Sequence, residues 1–213
     1  AELQRFPNLV RTLVISTGQH REMLTQALQA FNLSADIDLN IMTHGQSLAQ
    51  ITSRALEGID KALSEHQPAY VIAQGDTTTT FCASLAAFYR QIKFGHVEAG
   101  LRTDSINNPF PEEMNRRACA LVADLHFPPT SEADANLERE NIPASQRIIT
   151  GNTGIDAILH VTQESSNQWY PEHTGRVILL TTHRRENWGD IQTGIAQAAL
   201  KLVQTFPDTI LVV

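Results

Sequence analysis

The chain has 213 residues, a net charge of −7, and 42% hydrophobic and 18% charged residues, the balance of an ordinary globular protein of one large domain or slightly more. The acidic balance excludes bulk attraction to nucleic acid or to an anionic membrane surface. No apolar run approaches the roughly 20 residues of a membrane-crossing helix.

From the N-terminus, the β-branched run Leu9–Thr17 predicts a strand, and Met23, Leu24, Leu28 and Phe31 recur at helical spacing after it. Ala35–Met42 reads as a short extended segment. Leu48, Ile51, Ala55, Ile59 and Leu63 mark an amphipathic helix over Gln46–His66, stopped by Pro68. Ala69–Gln74 is apolar enough for a strand buried on both faces, Thr77–Gln91 reads as a helix, and Phe94–Ala99 as the next strand. Leu101–Phe110 is a loop, after which Pro111 suits the opening of a helix running to about Val122. Leu125–Pro129 predicts a brief strand, Thr130–Asn141 a helix capped by Ser131, Arg147–Thr150 a strand, and Gly151 to about Ser165 a turn and helix. Arg176–His183 then resets the pattern with a buried strand, Ile191–Phe206 follows as a helix, and Thr209–Val213 closes as a strand.

Strands and helices alternate without a hairpin signal, which predicts right-handed βαβ crossovers and a parallel sheet in an α/β fold. The polar, breaker-rich stretch before Gly175 divides the chain into a domain over residues 1–165, a linker over 166–175 and the start of a second α/β domain over 176–213. Both ends read as interrupted, so the expectation is a piece of something larger. Cys82 and Cys119 lie in apolar helical stretches without CxxC spacing and read as buried thiols. With no basic-then-apolar leader at the start, they point to the cytoplasm.

The chemistry concentrates between Gln74 and Arg117. Apolar strands stop at Asp76 and Glu98, and Glu112 and Glu113 open a helix. In an open α/β sheet the carboxyl ends of strands and the starts of helices share one edge, where ligands bind. Each acid also has a structural reading. Asp76 suits a helix N-cap, with Thr77–Thr80 beside it as hydroxyls able to bind a sugar. Glu98 needs a partner if buried, and Arg102 is one candidate. Glu112 and Glu113 favour the helix dipole, and Arg116 and Arg117 are either their ion-pair partners or compensation for an anionic ligand. His96 reads as a core or supporting histidine. His183, at the end of the strand that opens the second domain, comes with Arg184, Arg185 and Glu186, a local positive charge suited to a phosphate-bearing substrate. Zinc-ligand spacing, a P-loop and a dinucleotide fingerprint are all absent from the sequence.

The blocks STGQHREML (16–24), QGDTTTT (74–80), GHVEAGLRT (95–103), NPFPEEMNRR (108–117), TGNTGIDA (150–157) and THRREN (182–187) together resemble the non-hydrolysing UDP-N-acetylglucosamine 2-epimerase family, in the family's order and over nearly the whole chain. The resemblance implies a two-domain fold of the glycosyltransferase-B type, with a nucleotide sugar held between Rossmann-like halves. It places Asp76, Glu98, Glu112 and His183 on catalytic positions, and Gln19, His20 and Gln46 near a regulatory site for a second UDP-GlcNAc. Arg102, Arg116, Arg184 and Arg185 are the candidate substrate-binding cations, and a homodimer is the expected assembly. The chain departs from the family in having Thr182 before the histidine where glycine is common and Phe110 where tryptophan is common. The family's G-T-R-P-E loop and its uridine-binding S-G-G-x-x-E-E segment are not within these residues.

The C2 hydrogen of a UDP-sugar has no adjoining carbonyl and is not acidic. The resemblance implies elimination of UDP to a 2-acetamidoglucal, then re-addition with a proton delivered to the other face of C2. That chemistry needs an acid and a base at the ring and positive charge on the departing diphosphate, with no metal or redox cofactor. A hydrolysing relative, a glycosyltransferase of the same fold and a silent nucleotide-sugar sensor are the alternatives.

Overall fold

The computed structural model describes residues 2–18, 21–43, 45–164, 170, 172–182 and 189–213. Its elements alternate as the sequence pattern predicts except where α6 follows α5 without a strand between them: β1 (Ile15–Ser16), α1 (Arg21–Ala30), β2 (Ile37–Asp38), α2 (Leu48–His66), β3 (Tyr70–Gln74), α3 (Thr78–Tyr89), β4 (Lys93–Val97), α4 (Glu112–Val122), β5 (Leu125–Phe127), α5 (Ser131–Arg139), α6 (Thr153–Glu164), β6 (Arg176–Leu179), α7 (Asp190–Thr205) and β7 (Thr209–Val212). Among the described residues every strand pairing is parallel: β1 with β2, β3–β4–β5 in that order, and β6 with β7. Parallel neighbours need crossovers rather than hairpins, and helices supply them. The chain divides into two compact units, Ala1–Val161 and Thr162–Val213, the second holding β6, α7 and β7.

Local chemistry explains the helix ends. Ser47 opens α2 with a capping box: its hydroxyl accepts from Gln50 N at 3.3 Å, and Gln50 Oε1 accepts from Ser47 N at 2.9 Å. Gln67 ends α2 in the left-handed region, donating to Leu63 O, before Pro68 bars continuation. Thr77 caps α3 and Thr130 caps α5. The expected caps were Asp76 and Ser131, each one residue away. At α3 the difference matters, because it leaves the Asp76 carboxylate available to another element.

Some expected strands are shorter or absent, and Arg176–His183 yields, among the described residues, only the four of β6. Leu9–Thr17 yields only the two residues of β1, and Leu9 and Val10 are exposed. Arg147–Thr150 runs extended beside β5, with Ile148 N donating to His126 O and Thr150 N to Pro128 O, but it is not a regular strand. Pro128 and Pro129 carry no N–H to continue a ladder there.

The core of the first unit lies between α2, α3 and α4 and the central sheet. Ala55, Ile59 and Leu63 of α2 pack with Cys82, Ala83, Ala86 and Ala87 of α3, Phe94 of β4 and Cys119 of α4. The small alanines let α2 and α3 approach closely, and Arg90 and Asp60 close their far end with a bidentate pair at 2.6 and 2.7 Å. No helix among the described residues is long and apolar enough to cross a membrane.

Gly100 shows how tightly the loop after β4 packs on α5. Its φ is +85°, and an added Cβ would lie 2.2 Å from the Ala133 carbonyl oxygen. Gly151 has φ +79° with nothing within 4 Å of such a Cβ. Gly151→Ala is therefore expected to cost about 1–2 kcal/mol of backbone strain, and Gly100→Ala about 3 kcal/mol or more. Urea unfolding midpoints of the two variants measure the difference, and equal losses would show that the α5 contact is not rigid.

Candidate functional site

The carboxyl edge of the β3–β4–β5 sheet gathers acidic side chains from three segments. After Gln74 the chain turns through Gly75, at φ +79°, into Asp76. Glycine takes that conformation freely. After Val97 it breaks at Glu98, a non-glycine residue at φ +62°, a conformation that costs about 1–2 kcal/mol. The Glu98 and Ala99 amides both donate to Phe127 O, at 3.1 and 3.3 Å, so β5 holds the break in place.

Glu98 and Asp76 lie side by side in the chain fold but in different electrostatic company. An added Cβ on Gly75 would stand 3.4 Å from Glu98 Oε2, which places the Glu98 carboxylate over the turn that leads to Asp76. Glu98 Oε2 accepts from Gln74 Nε2 and Glu98 Oε1 from Asn152 Nδ2, both at a long 3.5 Å. Thr153 Oγ1 fixes the Gln74 amide at 3.0 Å, and Gly154 N fixes the Asn152 amide at 2.8 Å. Neutral amides thus orient Glu98, and among the described residues no cation is ion-paired with it. Asp76 instead forms an ion pair with Arg116.

Arg116 extends that pair into a network. Its Nη1 lies 3.2 Å from Oε2 of the fully buried Glu113, an ion-pair contact without hydrogen-bond alignment. Arg117 Nε donates to Glu113 Oε1 at 2.7 Å, and Arg117 Nη2 to Thr103 O at 2.9 Å. The two glutamates that open α4 therefore differ: Glu113 is structural, while Glu112 is half-buried with no side-chain partner among the described residues. Residues four apart on a helix share a face, so Glu112 stands one turn before Arg116 and on its side. Asp76 pairs with that guanidinium, Glu112 shares its helix face, and Glu98 lies beyond the Gly75 turn.

Other expectations resolve differently. Arg102 does not meet Glu98. It holds Glu140 through two bonds of 2.7 and 2.6 Å, and its guanidinium draws the Glu140 carboxyl below its usual range. Arg116 serves Asp76 and Glu113 rather than standing free for an anion. Three of the four expected sugar-binding hydroxyls work inside the protein: Thr77 caps α3, Thr79 meets Thr17 at 3.1 Å, and Thr80 donates to Gln74 O at 2.8 Å. Both ends of the Gln46 amide close its own turn, accepting from Thr43 N at 2.6 Å and donating to Ile41 O at 3.0 Å. Gln19, His20, His183, Arg184 and Arg185 lie outside the described residues. The support given to Glu98 by Gln74 and Asn152 was not foreseen. Its only sequence signal is that both residues fall in the blocks QGDTTTT and TGNTGIDA.

Behind the acids lies a row of buried imidazoles. His96 and His126 are register partners on β4 and β5, both fully buried. His96 Nε2 meets Gly75 O at 2.7 Å, which requires the proton on Nε2. His96 Nδ1 and both His126 nitrogens find no partner at hydrogen-bonding distance and angle among the described residues. Burial pushes both histidines down, His126 to about 4, where His96 and Arg102 add like-charge repulsion. Among the described residues no cluster of three or more His, Cys, Asp or Glu side chains is arranged to hold a metal ion.

A family model described as UDP-N-acetylglucosamine 2-epimerase matches residues 1–213. The chain belongs to that family. It is 46% identical over 209 residues to the UDP-N-acetylglucosamine 2-epimerase of Bacillus subtilis, covering 97% of this chain and 55% of the relative. A crystal structure from Listeria monocytogenes is 45% identical with a TM-score of 0.94, covering 99% of this chain and 56% of that one. The UDP-GlcNAc 2-epimerase of Neisseria meningitidis, solved bound to UDP-GlcNAc, is 42% identical with a TM-score of 0.91, covering 99% and 59%. The chain thus spans a little over half the length of these epimerases.

Two predictions follow for this member of the epimerase family. Glu113→Gln leaves two arginines without their buried counter-charge and is expected to cost about 3 kcal/mol in urea unfolding, whereas Glu112→Gln should stay within about 0.5 kcal/mol. The histidines set a pH dependence. Both folded values lie below the ordinary 6.5, His126 at about 4, so the unfolded chain binds more protons as pH falls below 6.5. Their stabilisation is complete above pH 6.5 and is lost as pH falls, for His126 through about 4, with a limit of about 1.4 kcal/mol per pH unit per histidine. Denaturation midpoints measured from pH 7.5 to 4.5 should fall, and His126→Phe should flatten the slope. An unchanged slope in that variant would remove His126 from the account.

Proposed function

We propose that the full-length protein interconverts UDP-GlcNAc and UDP-ManNAc, by eliminating UDP to 2-acetamidoglucal and adding it back. The observation that carries this reading is the division of labour among the acids. Glu98 and Glu112 are carboxylates without an ion-pair partner among the described residues, at the edge where α/β sheets bind ligands, while the charge of Asp76 is balanced by Arg116. The names of the relatives, and the UDP-GlcNAc bound to the Neisseria structure, support the substrate.

In the elimination, one carboxylate removes the C2 proton as the C1–O bond to UDP breaks and a C1=C2 double bond forms. In the return step UDP oxygen attacks C1, and the other carboxylate delivers a proton to the opposite face of C2. Asp76 is assigned to orienting the sugar. His183, Arg184 and Arg185 are assigned to the leaving diphosphate on the strength of the sequence resemblance, and Gln19 and His20 to a second, regulatory UDP-GlcNAc. The buried free thiols Cys82 and Cys119 support a cytoplasmic location. Exposed Phe88, Tyr89 and Leu121 around a groove of about 610 Å³ at the opposite end of α3 and α4 support a homodimer.

Turnover of UDP-GlcNAc by the full-length protein in D2O is expected to place deuterium at C2 of the product. Glu98→Gln and Glu112→Gln should each lower turnover about a hundredfold or more while still binding UDP. Retention of the original hydrogen would contradict elimination. Release of free ManNAc and UDP would assign the chain to hydrolysis, and binding without turnover would make it a sensor.

A further inference from the structure

We infer that Thr80, His96 and Asn115 are positioning residues, buried side chains from three elements that fix three consecutive carbonyls, those of Gln74, Gly75 and Asp76, and so aim the Asp76 and Glu98 carboxylates. The inference rests on the reading above, which puts those carboxylates at the sugar. Thr80 Oγ1 of α3 donates to Gln74 O at 2.8 Å, His96 Nε2 of β4 to Gly75 O at 2.7 Å, and Asn115 Nδ2 of α4 to Asp76 O at 2.8 Å. All three donors are at most 3% exposed.

Carbonyls leaving the end of a strand need partners, and a surface turn ordinarily finds them in water. Here each is met instead by a buried polar side chain. Secondary structure does not require any of the three. Thr77 already caps α3, β3 pairs with β4 along its length, and the Gly75 amide is satisfied by Val97 O at 3.0 Å. What the three bonds do fix is a turn with a glycine at its centre, the position of greatest backbone freedom.

That turn carries the site. Gln74 presents the amide that meets Glu98, Gly75 leaves the space beside Glu98 Oε2, and Asp76 is the next residue. Rotation of the Gly75 peptides would move all three functional groups together. Misplacement of a reacting group by about 1 Å costs on the order of a hundredfold in rate, so a clamp of this kind acts on the rate rather than on ground-state affinity.

The test is made in the full-length protein with Thr80→Val, Thr80→Ser and Asn115→Leu. Ser84→Ala serves as a control that removes an equally buried hydroxyl-to-carbonyl bond, Ser84 Oγ to Phe81 O at 2.8 Å, elsewhere on α3. Thr80→Val and Asn115→Leu should lower kcat about tenfold to a hundredfold, with KM and calorimetric UDP affinity held within about threefold. Thr80→Ser should restore kcat, and Ser84→Ala should lower the urea midpoint with kcat unchanged. Thr80→Val and Asn115→Leu behaving like Ser84→Ala, or Thr80→Ser failing to restore kcat, would overturn the inference while leaving the reaction standing. No turnover in the unaltered protein would sink the reaction itself, and the inference with it.

Discussion

The first unit depends on a buried carboxylate. Glu113 is removed from water, and a charge in that position is tolerated only where cations and hydrogen bonds replace its hydration. Arg117 and Arg116 do so from the next turn of α4, and each arginine then reaches a second element: Arg117 the loop carbonyl of Thr103, and Arg116 the carboxylate of Asp76. Through these contacts the start of α4, the end of β3 and the loop after β4 are held against one another. Glu112 is placed by the same network without taking part in it.

The edge thereby separates two kinds of acid. Asp76 and Glu113 are charge-compensated and geometrically committed. Glu98 is oriented by neutral amides at the limit of hydrogen-bonding distance, and Glu112 has no side-chain partner among the described residues. A carboxylate used to take and return a proton needs orientation without a permanent cation, because a tight ion pair favours only its charged form. The left-handed backbone at Glu98 fits this picture, since local strain is tolerated where surrounding bonds over-determine it, here two amides on one carbonyl of β5.

Much of this was legible in the sequence. The alternation of apolar strands with helical runs gave the parallel α/β class, and the strand ends at Asp76 and Glu98 gave the edge. What sequence could not resolve were choices between neighbours with equal chemistry. Thr77 and Asp76 both cap helices well, and the structure uses Thr77. Glu112 and Glu113 both suit a first turn, and only packing decides which is buried. Proximity in sequence pairs Arg102 with Glu98, yet its partner Glu140 lies 38 residues away at the C-terminal end of α5. The polar bonds to the 74–76 carbonyls have no periodicity at all, so no pattern in the chain announces them.

On the proposed reading, Glu98 and Glu112 face the sugar ring together while Asp76 and Arg116 hold the floor beneath it. A crystal structure of the full-length protein with bound nucleotide sugar tests this most directly. The account predicts carboxylate oxygens of Glu98 and Glu112 within about 3–3.5 Å of groups on or beside C2, with the Asp76–Arg116 pair intact. A sugar ring bound away from this edge, or an Asp76 released from Arg116 with Glu98 turned into the protein, would contradict it.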